Sequence, residues 1–192
     1  AQQFGEDCPG QGLTTFRQGA LRALSSGQLA QMLGEGPGRE QEMKDQVQQI
    51  IQNLDVRSEE SVTKALDTVK VVTDLDLEEK LALTKALSEV FFLAHHTGST
   101  AMPKLAVRTE KRIAKFGPEM IPFVFEEMVE CDSETAIYFG QTLARNGVDG
   151  LEYIITKLGD YKNREHDLIN LIQALSYFKI PEATKVIPVI LN

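Results

Sequence analysis

Tryptophan is absent from this 192-residue chain, cysteine occurs only as Cys8 and Cys131, and basic residues are outnumbered, 20 Lys+Arg against 28 Asp+Glu. No apolar run approaches the ~18 residues of a membrane span. Each scarcity excludes something. Two cysteines so far apart form neither a CxxC pair nor any metal-ligand spacing, so a disulfide-rich scaffold and a zinc module are both ruled out. Two free thiols, or a single bridge pinning the N-terminal arm to the body, remain the two readings. A net charge of -8 argues against general nucleic-acid binding, because that affinity comes from a basic surface that releases counterions. The hydrophobic share of 42% is too high for a disordered chain, and with a mean hydropathy of -0.19 the composition predicts a soluble protein with no membrane span.

Catalytic motifs are missing as well. There is no P-loop, nucleophile elbow, dinucleotide fingerprint or zinc signature, and Gly10-Gln11-Gly12 is a lone GxG with no strand before it. His95 and His96 are adjacent. Neighbours on a helix point ~100° apart, so they do not share a metal as an i, i+4 pair would; a place at the negative end of a helix dipole suits them better. His166, beside Asp167, reads as an ordinary residue opening a helix. Glu59-Glu60 and Glu126-Glu127 fall on expected solvated faces, where nothing shifts a carboxyl toward acid–base work. The sequence therefore predicts no enzyme, no cofactor and no metal site.

What the chain does have is helical periodicity. Residues 1–38 are rich in Gln and Gly and close on Gly34-Glu35-Gly36-Pro37-Gly38, which reads as a linker; Phe16, Ala20, Leu21 and Leu24 predict a helical N-terminal arm or cap before it. From 39 to 192 the pattern is helical almost throughout. Met43, Val47, Ile50, Ile51 and Leu54 make one stripe, and Leu83, Leu87, Val90, Phe91 and Ala94 repeat that spacing. Ser58 before Glu59-Glu60, and Asp76 with Glu79 three residues on, supply helix caps. Gly98 and Gly117 act as stops, with Pro103 and Pro118 at the next helix starts. The β-branched runs Val69–Val72 and Ile187–Leu191 lie within or at the end of helical patterns. About ten helices are expected, and the fold class is all-α.

The C-terminal half repeats itself. Ile121-Pro122-Phe123-Val124-Phe125 matches Ile187-Pro188-Val189-Ile190-Leu191 at an offset of 66, which halves to a unit of 33. Ile121, Val124, Phe125 and Met128 correspond to Leu151, Ile154, Ile155 and Leu158 at 30, and Ala136, Ile137, Gly140 and Leu143 to Leu168, Ile169, Ile172 and Leu175 at 32. One two-helix unit every thirty-odd residues is the mark of an α-solenoid. With Phe116 to Val124 opening a repeat, Asp132-Ser133 opening its second helix and Ala174 to Phe178 closing a later one, the chain resembles the HEAT-like and armadillo-like helical repeat superfamily. The resemblance is clearest over 103–192, and it implies stacked antiparallel helix pairs that bind other proteins. An Asp/Arg pair usual in the second helix of that unit is lacking. The Trp/Gly/Tyr pattern of tetratricopeptide repeats is not found.

Charge is distributed unevenly. Lys104, Arg108, Lys111, Arg112 and Lys115 oppose only Glu110 within 101–117, a balance of +4, and 118–135 carries six acids and no base. The i, i+4, i+8 spacing of Lys104, Arg108 and Arg112 aligns three cations on one face. Either neighbouring helices of opposite sign neutralise one another, or the stripe receives an acidic peptide, a phosphate-rich ligand or nucleic acid. Aromatic interleaving for base stacking is missing, since Phe116 reads as core. The expected function is a non-enzymatic protein–protein interaction scaffold, with a ligand- or nucleic-acid-binding solenoid using the 104–115 stripe as the alternative and nucleic acid the less favoured ligand. Whether the chain is one segment of a longer protein is left open by Val186–Leu191, an apolar stripe close to its end. A start at Ala1 without a charged-plus-apolar leader fits a processed exported protein or a trimmed chain, so the compartment is open too.

Overall fold

The structure is a computed structural model and describes residues 37–95, 98–161 and 164–179. The chain divides into two units between Asp45 and Gln46; the first contains only the start of one helix among the described residues, so the fold is that of the second. The expected N-terminal arm, Cys8, His96 and the Ile187–Leu191 repeat copy lie outside the described residues.

Among the described residues there are eight α-helices and no strand: α1 Pro37–Asn53, α2 Glu59–Val71, α3 Leu77–Leu93, α4 Met102–Ile113, α5 Ile121–Glu130, α6 Ser133–Arg145, α7 Val148–Tyr161 and α8 Glu165–Ser176. Two 3-10 turns, Ala114–Phe116 and Pro118–Met120, connect α4 to α5. The protein is all-α. Pro37 and Gly38, read above as the end of a linker, are the first residues of α1; a proline is at home there because the first N–H groups of a helix have no intrahelical partner.

The boundaries follow the local signals. Ser58 caps α2, its hydroxyl accepting from the Ser61 N–H. Asp76 and Glu79 form a reciprocal capping box on α3, and Asp132 caps α6 by accepting from the Glu134 and Thr135 N–H groups. Gly117 separates the two 3-10 turns at φ 110°, a conformation that a Cβ disfavours. Pro103 and Pro118 fall within the first two positions of their helical segments.

Packing within the second unit alternates. Each of α3, α5 and α7 contacts the helix that follows it, and α2, α4, α6 and α8 contact one another in succession. The core stripe of α3 is fully realised: Leu83, Leu87, Val90, Phe91 and Ala94 are all buried. Phe91 stacks on Tyr138 at 5.4 Å and meets Phe139 edge-on at 4.9 Å, tying α3 to α6. Phe125 does the same for α5 and α7 through Tyr153 and Tyr161. Such offset and T-shaped pairs favour the quadrupoles of the rings.

Three residues matched to core positions by the repeat alignment behave differently. Ile155, Ile169 and Ile172 are 39%, 50% and 37% exposed, all on α7 and α8, the last described pair. At the offset of 32, it is Asn170, Leu171, Ala174 and Leu175 of α8 that are buried, as Tyr138, Phe139, Thr142 and Leu143 are on α6. The period is retained, but α8 turns a polar Asn and a small Ala inward, which an apolar-only alignment passes over.

Polar bonds between segments recur at two ranges of sequence distance. Arg145 to Glu110, Tyr161 to Glu126 and His166 to Cys131 each span 35 residues. Asn170 to Cys131, Lys80 to Glu119, Ser99 to Glu59 and Arg108 to Asp67 span 39 to 41. His166 is thus more than a helix opener: its Nε2 lies 3.1 Å from the Cys131 carbonyl oxygen. Asn170 Nδ2 donates to that oxygen at 3.1 Å and to the Met128 oxygen at 2.9 Å. Two side chains of α8 therefore satisfy carbonyls at the end of α5 that its own ladder leaves unpaired.

Candidate basic cleft

The α4 sequence MPKLAVRTEKRI buries Met102, Leu105, Ala106, Thr109, Glu110 and Ile113. That stripe orients the rest of the helix: with one face committed to the core, the intervening cations are left toward solvent. Lys104, Arg108, Lys111 and Lys115 are exposed and Arg112 is half-buried.

Arg108, Lys111, Arg112 and Lys115 line one cleft of about 600 Å³, joined by Arg145 from the last residue of α6. Leu66 of α2 and Ala114 supply apolar wall. Lys104 stands outside it. Of the i, i+4, i+8 face made by Lys104, Arg108 and Arg112, the last two line the cleft, together with Lys111, Lys115 and Arg145. Sequence spacing missed Arg145 because it comes from another helix; its one signal was its place, 35 residues from Glu110, at the helix end where a cation complements the dipole.

The cations are unequally engaged. Arg108 Nη2 meets Asp67 Oδ1 of α2 at 2.8 Å, both side chains being largely solvent-exposed. Arg145 donates through Nε at 2.9 Å, and through Nη2, to Glu110 Oε1. Among the described residues Lys111, Arg112 and Lys115 have no ion-pair partner, and no ion pair joins the basic 101–117 segment to the acidic 118–135 segment. The acidic segment's Glu119 instead pairs with Lys80 of α3, which holds its carboxyl below the usual range.

Glu110 is the electrostatic anchor beneath the cleft. It is buried, and its Oε2 has no hydrogen-bond partner. Burial pushes its carboxyl above the usual carboxylate range, opposed by the Arg145 hydrogen bond and charge and by Lys111. Arg112 Nε is likewise buried without a partner.

Among the described residues no three His, Cys, Asp or Glu side chains gather to hold a metal. His95 follows α3 and lies over Tyr138, ring centroids 5.5 Å apart. Cys131 is a free, buried thiol that burial and the nearby Asp132 push up to about 12, far from a reactive thiolate. Glu127 is raised by burial and by Glu130 and Glu89, opposed by the charge of Lys85. A second concavity of about 590 Å³ between α1 and α2 is lined by amides and hydroxyls such as Gln46, Gln49, Asn53 and Ser58. Among the described residues no helix is long and apolar enough to cross a membrane.

The chain matches no protein-family model, and no curated protein or solved structure is significantly similar to it.

Proposed function

We propose that the protein is a non-enzymatic interaction scaffold, a HEAT-like α-solenoid whose basic cleft takes an acidic segment of a partner protein. Support for the solenoid comes from the succession of contacts, α2 to α4 to α6 to α8 on one side and α3, α5 and α7 each against its follower. The recurrence of cross-helix bonds at 35 to 42 residues agrees with it. In such a stack each pair buries its apolar stripe against its neighbours, and the outer faces remain for binding.

One observation carries the binding reading: five cations from α4, the 3-10 turn that follows it and α6 converge on a single concavity, and three of them have no ion-pair partner among the described residues. Among the described residues the five cations share the counter-charges of only Asp67 and Glu110; the cations repel one another, and an incoming anion relieves that cost. An acidic peptide fits because the cleft is local and the chain as a whole is negative.

Fluorescence anisotropy with labelled degenerate peptides carrying a fixed run of glutamates tests the proposal. Binding should exceed that of the matched lysine pool, weaken with salt as exposed charges are screened, and disappear in Lys111→Glu/Lys115→Glu. Binding that ignores both salt and that double variant would overturn the assignment.

A further inference from the structure

The cleft holds a donor that the protein itself does not use. Arg112 Nε is buried and unpartnered, an expensive condition for a charged group, since an unsatisfied buried donor loses its water without replacement. It lies on the residue that sits between Lys111 and the Ala114-Lys115 turn, all lining the same concavity. Arg112 itself lines the concavity, so an acceptor arriving there meets a guanidinium whose Nε the protein leaves unpaired.

We propose that this acceptor is a phosphate, carried on a phosphorylated serine or threonine of the partner; the inference rests on the acidic-segment reading above and narrows it. Guanidinium groups present planar forks of N–H donors that match phosphate oxygens two at a time, whereas an ammonium acts as a point charge. The cleft combines both, Arg112 and Arg145 with Lys111 and Lys115. A phosphorylated side chain brings a charge of about -1.5 to -2 and three strong acceptor oxygens. A glutamate brings one charge and two oxygens, a weaker match to a cleft of five cations.

The same features disfavour the other sources of phosphate. A nucleic acid needs an extended basic track and, when single-stranded, aromatic platforms. Here five basic residues meet in one cleft whose lining contains no aromatic side chain, and the 18 residues that follow the basic segment carry six acids. A membrane of anionic lipids presents its charge over a broad plane, which attracts clustered basic segments and repels a chain of net charge -8. A compact dianion on a peptide is the ligand whose charge is as local as the site.

Anisotropy of the full chain against three degenerate peptide pools, with a fixed central phosphoserine, glutamate or serine, reads the inference directly. The phosphoserine pool should bind roughly tenfold or more tightly than the glutamate pool, with serine weaker still. Arg112→Lys keeps the charge and removes the fork. It should cut the phosphate advantage over the glutamate pool to about threefold or less. Should Arg112→Lys melt early, Lys111→Ala/Lys115→Ala, altering exposed residues, carries the test and should weaken phosphate binding more than glutamate binding. Equal affinity for the phosphoserine and glutamate pools would overturn the phosphate inference and leave the acidic-segment reading standing. No binding to any pool overturns both. Binding to vesicles containing phosphorylated inositol lipid, without binding to the phosphoserine pool, overturns the choice of a protein partner.

Discussion

Removing either member of the Arg145–Glu110 pair should have very different consequences, because the two ends of the pair lie in different media. The Arg145 side chain is 39% exposed and that of Glu110 only 1%. Arg145→Ala leaves a carboxylate buried with neither oxygen paired. Stripping one partner from a fully buried ion pair costs about 3–5 kcal/mol; water reaches the Arg145 end, so about 2–4 kcal/mol is expected here. For a domain of this size that corresponds to a melting temperature lower by about 5–15 °C. Glu110→Gln instead leaves a guanidinium that water already solvates, and it removes a charge whose burial outweighs its pairing. It should leave stability at neutral pH unchanged or raised. The double variant should recover to within about 1 kcal/mol of Glu110→Gln alone, because no buried charge then remains to be stranded.

The pH dependence follows with a definite sign. The Glu110 carboxyl is held above its unfolded range by burial, so the folded state binds its proton more readily. Its contribution to stability is fully present below the unfolded carboxyl range and is lost as pH rises through the folded value. Without Arg145 the folded value climbs further. The deficit of Arg145→Ala should therefore be largest near neutrality and should shrink on acidification toward the usual carboxylate range. Urea denaturation of the four proteins across that range measures it. A deficit under about 0.5 kcal/mol at neutral pH, or one independent of pH, would refute the reasoning, since surface substitutions alone produce effects of that size.

Asn170 offers a second test, as its two N–H bonds serve the end of α5: Asn170→Ala should cost about 2–4 kcal/mol, and Asn170→Asp more near neutrality, because a carboxylate there faces two carbonyl oxygens. Chemical denaturation would show the aspartate penalty easing as pH falls and the carboxyl regains a proton to donate; an aspartate milder than the alanine at neutral pH would count against the capping role. A Cβ at Gly150 would sit 2.3 Å from the Leu143 carbonyl oxygen, while at Gly140 its nearest contact is Ala174 Cβ at 3.1 Å. Gly150→Ala should therefore destabilise by about 1–3 kcal/mol, and Gly140→Ala, helped by about 1 kcal/mol of helix propensity, should stay close to the parent in a thermal melt. In a Cys8→Ser background, Cys131 should resist aromatic disulfide reagents at pH 8 until the protein is unfolded, given its burial and a thiol pushed up to about 12; rapid native labelling would contradict that burial.

Helix identity and boundaries were legible from sequence because they depend on neighbours within a turn. The Ser58, Asp76 and Asp132 caps, the stop at Gly117, and the α3 stripe from Leu83 to Ala94 each involve residues no more than a few positions apart, and each is realised in the structure; α3 itself ends at Leu93, before Gly98. Burial at the far end of the repeat was less legible. Ile155, Ile169 and Ile172 carry the right hydrophobicity at the right period, but exposure depends on what another helix brings against them. The reverse holds for Asn170 and Thr142, polar residues that are buried because a carbonyl on a neighbouring turn or helix accepts their hydrogen bonds.

The sequence by itself determined an all-helical chain with a local basic segment, since composition, capping and 3.6-residue periodicity act at short range. Tertiary structure decided which of those cations act together. It left Lys104 aside, engaged Arg108 with Asp67, and brought Arg145 from α6 to the cleft beside Arg112, Lys111 and Lys115. It also buried Glu110 against Arg145, where loss of water makes one carboxylate count for more than an exposed acid further along the chain. Coulombic interaction depends on distance and surrounding medium, and neither is written in the order of the residues.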